Sequence, residues 1–546
     1  MLDLWYKNAV VYCVDVEIFM DSNGDGVGDF EGLYNRLDYL AGLGITCIWL
    51  MPFYPTPNRD NGYDVTDYYS VDPRLGTLGD FVEFIRGASE RGMRVIVDLV
   101  INHTSTEHPW FKAACKDKHS KYRNYYVWSE EKPADAEEGI IFPGHQESTW
   151  TYNEEAKAYY FHRFYDHQAD LNIGNPQLRE ELSRVMGFWL EIGISGFRVD
   201  AAPFLIELKG IEQQSDIQDP YRYLKDMRSF LSWRRGDAIV LAEANVKMKN
   251  VPKYFGDGDK LQMLFHFVVN QHLMLALARE TAAPLVEGLK ASPELPDIGQ
   301  WAHFVRNHDE LSLDKLTEAE QDEILAQFEQ DKEEVWIYDR GLRRRFPPLV
   351  GGDPRRIRLA YSLMFTLPGT PVLLSGEEIG MGDDLSQPQR EAIRTPMQWS
   401  DESNGGFSTA ASDQLIRPVI KAGEYGYPNL NVMAQRRDPN SLMNWMERVI
   451  RTRKECPEFG WGEWEIIETD QPSVFAHRCD WQGKTVLAVH NLSRNPCTVL
   501  LKLSTAENPN THWLDLLDDS AYKPMQAEHS IELEGYGYRW MRISQR

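Results

Sequence analysis

Arg198 and Asp200 stand two residues apart in GFRVDAAPF (residues 196–204), a run that otherwise reads as a buried strand. Side chains two apart on a strand share a face, so the guanidinium would lie against the carboxylate. A neighbouring cation lowers a carboxyl pKa and holds the group ionised, the state a carboxylate nucleophile needs. Glu243 sits in AIVLAEA (238–244), whose apolar setting keeps a carboxyl protonated until it donates to a leaving oxygen. Two further strand-like runs end in polar residues: RVIVDLVINH (94–103) delivers Asp98, Asn102 and His103, and AHFVRNHD (302–309) delivers His308 and Asp309. Taken singly, each carboxylate is equally well explained as a helix cap or as the partner of a nearby arginine. Gathered on one rim, these carboxylates, histidines and the arginine are costly to desolvate unless they pair with one another or with a substrate. An ionised carboxyl facing a protonated one is the apparatus of glycoside hydrolysis through an oxocarbenium-like transition state, with retention of configuration when the two are ~5–5.5 Å apart.

Such a site needs a scaffold that brings distant strand ends together. Short apolar or β-branched runs at 9–16, 46–50, 94–100, 196–200, 238–244, 302–309 and 371–376 alternate with amphipathic stretches such as 31–44 and 78–92, which end in glycine. This alternation predicts a parallel sheet. An open doubly wound sheet is the alternative, but no glycine-rich phosphate loop follows the first strand. About eight units favour an α/β fold of the closed (β/α)8 TIM barrel type, with its site at the strand C-termini. The barrel is expected at 1–102 and 171–456, with an inserted subdomain at 103–170 after the third strand. A second insertion at 317–346, helical in composition and dense in charge, reads as a solvated cover or as a mobile lid. From 457 to 546 short alternating runs predict a C-terminal antiparallel β-sandwich.

With 58 Lys+Arg against 83 Asp+Glu, the net charge of −25 repels phosphate backbones and anionic lipid, so neither nucleic acid nor membrane is an expected partner. No apolar run approaches the ~18–20 residues of a membrane span. The opening MLDLWYKNAVVY lacks a secretory pattern, and the six cysteines show no metal or redox spacing, so a reducing cytoplasmic setting is expected. Sixteen Trp, 25 Tyr and 23 Phe fill a large core and also suit stacking on sugar rings. Association into a homo-oligomer is compatible with the chain.

The loop DSNGDGVGD (21–29) spaces Asp21, Asn23, Asp25 and Asp29 at intervals of two, two and four, with glycines that allow a tight wrap. Hard oxygen donors at that density suit a structural Ca²⁺. The loop is not an EF-hand, because Gly32 occupies the twelfth position where glutamate is required. A polar turn without metal is the alternative.

The segments DLVINH (98–103), GFRVDAAPF (196–204), AEAN (242–245) and FVRNHD (304–309) resemble, in order, spacing and strand context, the characteristic segments of the α-amylase superfamily of glycoside hydrolases. The likeness covers nearly the whole chain. It implies Asp200 as nucleophile, Glu243 as general acid/base and Asp309 as transition-state stabiliser. Arg198 would orient Asp200, and His103 and His308 would hydrogen-bond the innermost sugar. DSNGDGVGDFEGL (21–33), NGYDVTDY (61–68), HQADLN (167–172) and IRTPMQW (393–399) are similar to members acting on short α-glucosides, which implies that Asp64 and Arg394 close the pocket around a terminal glucose. RNHDELSLDKLT (306–317) and GYPNLNVMAQRRDP (426–439) resemble the trehalose synthases of that family, which interconvert maltose and trehalose. CVDVEIFMD (13–21) and the segment 130–152 depart from that pattern. Relatives with Ca²⁺ in the first loop strengthen the metal reading, and a second site would use Asn102, Asp170 and Glu207.

The expectation is therefore a retaining enzyme on maltose, trehalose or a similar small α-glucoside, working through a glucosyl-enzyme. Isomerisation requires the released glucose to stay and re-attack before water does, which calls for a lid and a tight acceptor site. A leakier site makes a hydrolytic α-glucosidase or amylase-type enzyme. A non-catalytic amylase-like binding subunit is a further alternative, opposed by the joint presence of Asp200, Glu243 and Asp309.

Overall fold

Eight parallel strands close on themselves in a computed structural model that describes residues 3–207, 219–502, 512–517 and 530–544. They are β1 (Val11–Val14), β2 (Cys47–Leu50), β3 (Arg94–Leu99), β4 (Gly196–Val199), β5 (Ile239–Ala242), β6 (Met263–Phe265), β7 (Gln300–Phe304) and β8 (Thr370–Leu374). Val11 pairs with Cys47 on one side and with Val372 on the other, so β1 sits between β2 and β8 and the sheet has no edge. Strands buried on both faces need no polar alternation, and these read as continuous apolar runs, VYCV, CIWL and IVLA.

The seven strand-like runs of the sequence correspond to seven of these strands; the unread one is β6. Its three residues lead directly toward the helix Phe267–Arg279, so QMLFHFVVN (262–270) shows no change of period to mark a boundary. The stretch expected as one helix over 31–44 is two, Phe30–Asn35 and Leu37–Leu43, broken at Arg36 and ended by Gly44 in the left-handed region at φ 96°. The helix Leu78–Glu90 begins with a reciprocal Thr77–Asp80 capping box.

Two insertions rise from the C-terminal rim. Between β3 and β4, the helix Pro109–Lys116 packs with a three-stranded sheet (Trp128–Ser129, Ala158–Phe161, Trp150–Asn153) through stacked aromatics such as Phe111 on Trp128. His103–Ser105 pairs antiparallel with Gln168–Asp170, which ties the two ends of this insertion together at its root. After β7, the segment 311–342 carries the helix Glu318–Gln327 and a small sheet, with Ile324, Leu325 and Val335 buried beneath it.

The C-terminal region is an antiparallel five-stranded sheet facing the pair Cys497–Leu500 and Ser530–Leu533. Along Val474–Trp481 the alternation of a strand is literal: Val474 and Ala476 enter the small core under that pair, while Phe475 and Cys479 join the main core against the barrel. All six cysteines are unbridged, five of them buried. Among the described residues, no helix is long and apolar enough to cross a membrane.

Candidate active site

Arg198, at the end of β4 and 2% exposed, is the hub of the rim. Its Nη1 donates to Asp98 Oδ1 and to Asp200 Oδ1, both at 2.6 Å, and its Nη2 donates to the Glu243 carboxylate. Asp98 is itself held by Trp49 Nε1 at 3.1 Å and the Tyr63 hydroxyl at 3.3 Å, so the guanidinium has a fixed base. Asp200 and Glu243 therefore stand no farther apart than two hydrogen bonds and the width of one guanidinium. Ala201, directly after Asp200, adopts φ 49°, a left-handed turn that is unfavourable for a residue with a Cβ and belongs to the β4 exit.

Asp309 completes the group from the loop after β7. Its Oδ1 accepts from Arg394 Nη2 at 2.9 Å and forms an ion pair with Arg390 Nη1 at 2.9 Å, and these cations hold its carboxyl far below the usual range despite burial. Asp200, Glu243 and Asp309 line one cavity of about 320 Å³. Its walls also include Tyr63, Phe142, Phe164 and Phe267, apolar faces of the kind sugar rings stack on.

Three expected residues have different positions from those the sequence implied. Asp64 is fully buried away from the cavity, with its oxygens taken by Thr56 Oγ1 and the amides of Arg59 and Asp60. It shapes the turn, and Asp60 is the carboxylate that this turn presents to the cavity. Arg394 faces a neighbouring cavity and grips Asp309 and the His308 carbonyl, while Arg390 and Arg340 are the arginines that line the first cavity. His308 lies behind the wall, its Nε2 against the Tyr63 hydroxyl at 2.8 Å. His103 does line the cavity, but its ring nitrogens contact the Tyr63 carbonyl (3.0 Å) and Asn102 Nδ2 (3.3 Å). Burial drives its pKa down to about 3, so the ring is neutral.

Burial also corrects the electrostatic expectation for Asp200. Desolvation raises its carboxyl to about 6, outweighing the lowering by Arg198. Desolvation raises Glu243 further, to about 7, again with Arg198 opposing. The order still separates an earlier-ionising group from a later one. A reaction using ionised Asp200 and protonated Glu243 gains rate as pH rises through about 6 and loses it as pH rises through about 7. The kcat/KM profile is thus expected to be a narrow bell between these values, and a plateau extending two units above 7 would contradict the pairing.

The catalytic-domain model of the α-amylase family matches residues 16–462, and a sucrose hydrolase-like C-terminal domain model matches 483–542. The chain belongs to the α-amylase family. This α-amylase-family chain is 40% identical to the trehalose synthase/amylase of Mycobacterium tuberculosis over 99% of its own length and 90% of that protein. It is 38% identical to the trehalose synthase of Pimelobacter sp. (strain R48), over 99% and 96%. Among solved structures, it matches the α-amylase of H. orenii at TM-score 0.80 and 27% identity, over 98% of this chain and all of that one. The trehalulose synthase of Pseudomonas mesoacidophila MX-45 matches at TM-score 0.76 and 27% identity, over 99% of each chain.

In this family member the first-loop oxygens are busy. Asp21 accepts from the amides of Asn23, Gly24 and Gly26 and from Ser408 Oγ. Asp29 caps the helix Phe30–Asn35 through the Gly32 amide and takes Ser22, and Asp25 trades hydrogen bonds with Asn23. Among the described residues, no three acidic, histidine or cysteine side chains gather closely enough in this arrangement to ligate one ion. At the second expected site, Arg163 donates its amide to Asp170 and its Nη2 to Glu207 at 2.7 Å, so a guanidinium already supplies positive charge there. Burial raises Asp170 to about 8.

The sequence reading passed over Asp60, Tyr63, Arg390, Glu310 and Arg340, which all line the cavity. The Asn61–Gly62 turn pair beside Asp60, and an arginine four residues before Arg394, were the available signals.

Proposed function

We propose that this enzyme moves a glucosyl group within a bound disaccharide, converting maltose and trehalose into one another. Asp200 attacks C1 while Glu243 protonates the departing O4, which leaves a glucosyl ester and one free glucose. That glucose turns in place, and its anomeric hydroxyl attacks C1 as its proton passes to the Glu243 carboxylate. The ester bond to Asp200 breaks, and two inversions give net retention. Asp309, kept ionised by Arg390 and Arg394, would bind the sugar hydroxyls and balance charge at the transition state. The observation that carries the reading is the sharing of one guanidinium by Asp200 and Glu243 in a cavity of about 320 Å³. Relatives named trehalose synthase at 38–40% identity over nearly the whole chain support the choice of reaction. Incubation with maltose followed by chromatography should yield chiefly trehalose; glucose as the sole product would overturn the proposal in favour of hydrolysis.

A structural Ca²⁺ at Asp21, Asn23, Asp25 and Asp29 is part of the same proposal, and its binding requires these side chains to turn from the loop amides and hydroxyls that engage them here. These are hard oxygen donors, and among the described residues no cationic side chain pairs with the three carboxylates. Chelation should lower the unfolding midpoint by a few degrees, and Ca²⁺ should restore it. A midpoint indifferent to chelator would remove the ion from the account. The unbridged cysteines support a reducing, cytoplasmic setting.

A further inference from the structure

The two insertions meet beside the cavity through Arg340 and Tyr338. Arg340, from the insertion after β7, donates from Nε to Glu310 at 2.7 Å and from Nη1 to the Ile141 carbonyl, in the insertion after β3, at 2.6 Å. The other oxygen of Glu310 takes Arg390 Nε at 2.7 Å, and Arg390 Nη1 holds Asp309. One side chain thus joins both roof segments to the residue beside a candidate catalytic carboxylate. Next to it, Phe142 packs on Tyr165 (centroids 4.5 Å) and Tyr338 (4.7 Å), and Gln389 Oε1 accepts both tyrosine hydroxyls at 3.1 and 2.8 Å.

Directly behind this layer lies a second cavity of about 440 Å³ that shares Asp60 and Arg390 with the first. Exposed Arg59, His145 and Glu391 in its walls bring it to solvent. Phe142 lines only the first cavity, whereas Tyr165, Tyr338 and Gln389 line only the second, so one thickness of side chains parts the two cavities on this side.

We infer that Arg340 is a positioning residue that fastens this roof, and that its fastening decides whether the glucosyl-enzyme is captured by retained glucose or by water. The inference rests on the glucosyl-transfer reading above. In either capture the C1–O bond to Asp200 breaks, a C1–O bond to the acceptor forms, and the acceptor proton goes to Glu243. The chemistry is the same, so the outcome depends on which hydroxyl is present. Without Arg340 the Ile141 carbonyl loses its donor and Glu310 keeps only Arg390, so the seam between the insertions is left to the contacts of Tyr338 with Phe142 and Tyr165 and is loosened.

The test is the ratio of free glucose to trehalose formed from maltose at early times. Arg340→Met should raise that ratio about tenfold, the scale of a lost charge-assisted hydrogen bond. Arg340→Lys, which can reach only one of the two acceptors, should fall between. The pair Tyr165→Phe with Tyr338→Phe releases Gln389 without touching Arg340 and should also raise the ratio; it serves as well if Arg340→Met does not fold. Equal loss of both products with the ratio unmoved, in folded variants, would reduce Arg340 to a structural brace and overturn the inference. A wild-type enzyme that forms no trehalose would overturn the glucosyl-transfer reading itself, a result distinguishable from an unmoved ratio.

Discussion

Asp200→Asn is expected to lower kcat/KM on maltose by on the order of 10⁴- to 10⁶-fold, the range seen when a nucleophile acting within a catalytic unit is removed. An amide cannot form the glucosyl ester, and Asp98, the other carboxylate that shares Arg198 Nη1, does not line the cavity. The fold should survive, because Arg198 keeps Asp98 and Glu243 and so is not left as an unpaired buried charge. Stability should hold or rise. The carboxyl of Asp200 is raised to about 6 by burial, so near neutral pH its ionised form is less favourable folded than unfolded, and a neutral amide avoids that cost. Circular dichroism and a thermal melt alongside the kinetics check both halves. Full turnover in the variant would remove Asp200 from the mechanism.

Glu243→Gln separates acid catalysis from nucleophilic attack. On maltose, whose leaving glucose needs a proton, the variant should lose about 10²- to 10⁴-fold in kcat. On an aryl α-glucoside with an acidic phenol, ester formation needs no such help and should proceed nearly as in wild type, giving a burst of phenol. The descending limb near pH 7 should vanish with the group that causes it. Equal losses on both substrates, with that limb intact, would assign the proton donor elsewhere.

The strand-end chemistry was legible because a barrel turns a one-dimensional pattern into a rim. Asp98, Arg198, Asp200 and Glu243 belong to β3, β4 and β5 or directly follow them, and each strand's last side chains face the same end. Residues on loops were legible only as segments. RDNGYD (59–64) contains two aspartates, and which one lines the cavity is settled by backbone turns at Asn61 (φ 48°) and Gly62 (φ 89°), which bury Asp64 and turn Asp60 to the cavity. The same holds for Arg390 and Arg394, at either end of the short turn 390–394: the first enters the sugar pocket and the second reaches behind it to Asp309. Arg340 could not be read at all. Its partners Ile141 and Glu310 lie far away in the chain, and the contact exists only once both insertions have folded over the barrel.

The pKa order carries a similar lesson. Adjacency of Arg198 and Asp200 gave the correct partner and the wrong net direction, because strand spacing reports the cation but not how completely water is excluded. What survives is relative: Asp309 ionises first, Asp200 next and Glu243 last.

The measurement closest to the central claim is covalent trapping. Glu243→Gln treated with 5-fluoro-α-D-glucosyl fluoride, whose good leaving group allows the ester to form while the ring fluorine slows its breakdown, should be digested and mapped by mass spectrometry. The account predicts one fluoroglucosyl adduct, on the peptide and residue of Asp200; an adduct on Asp309 or Asp60, or none despite release of fluoride, would contradict it.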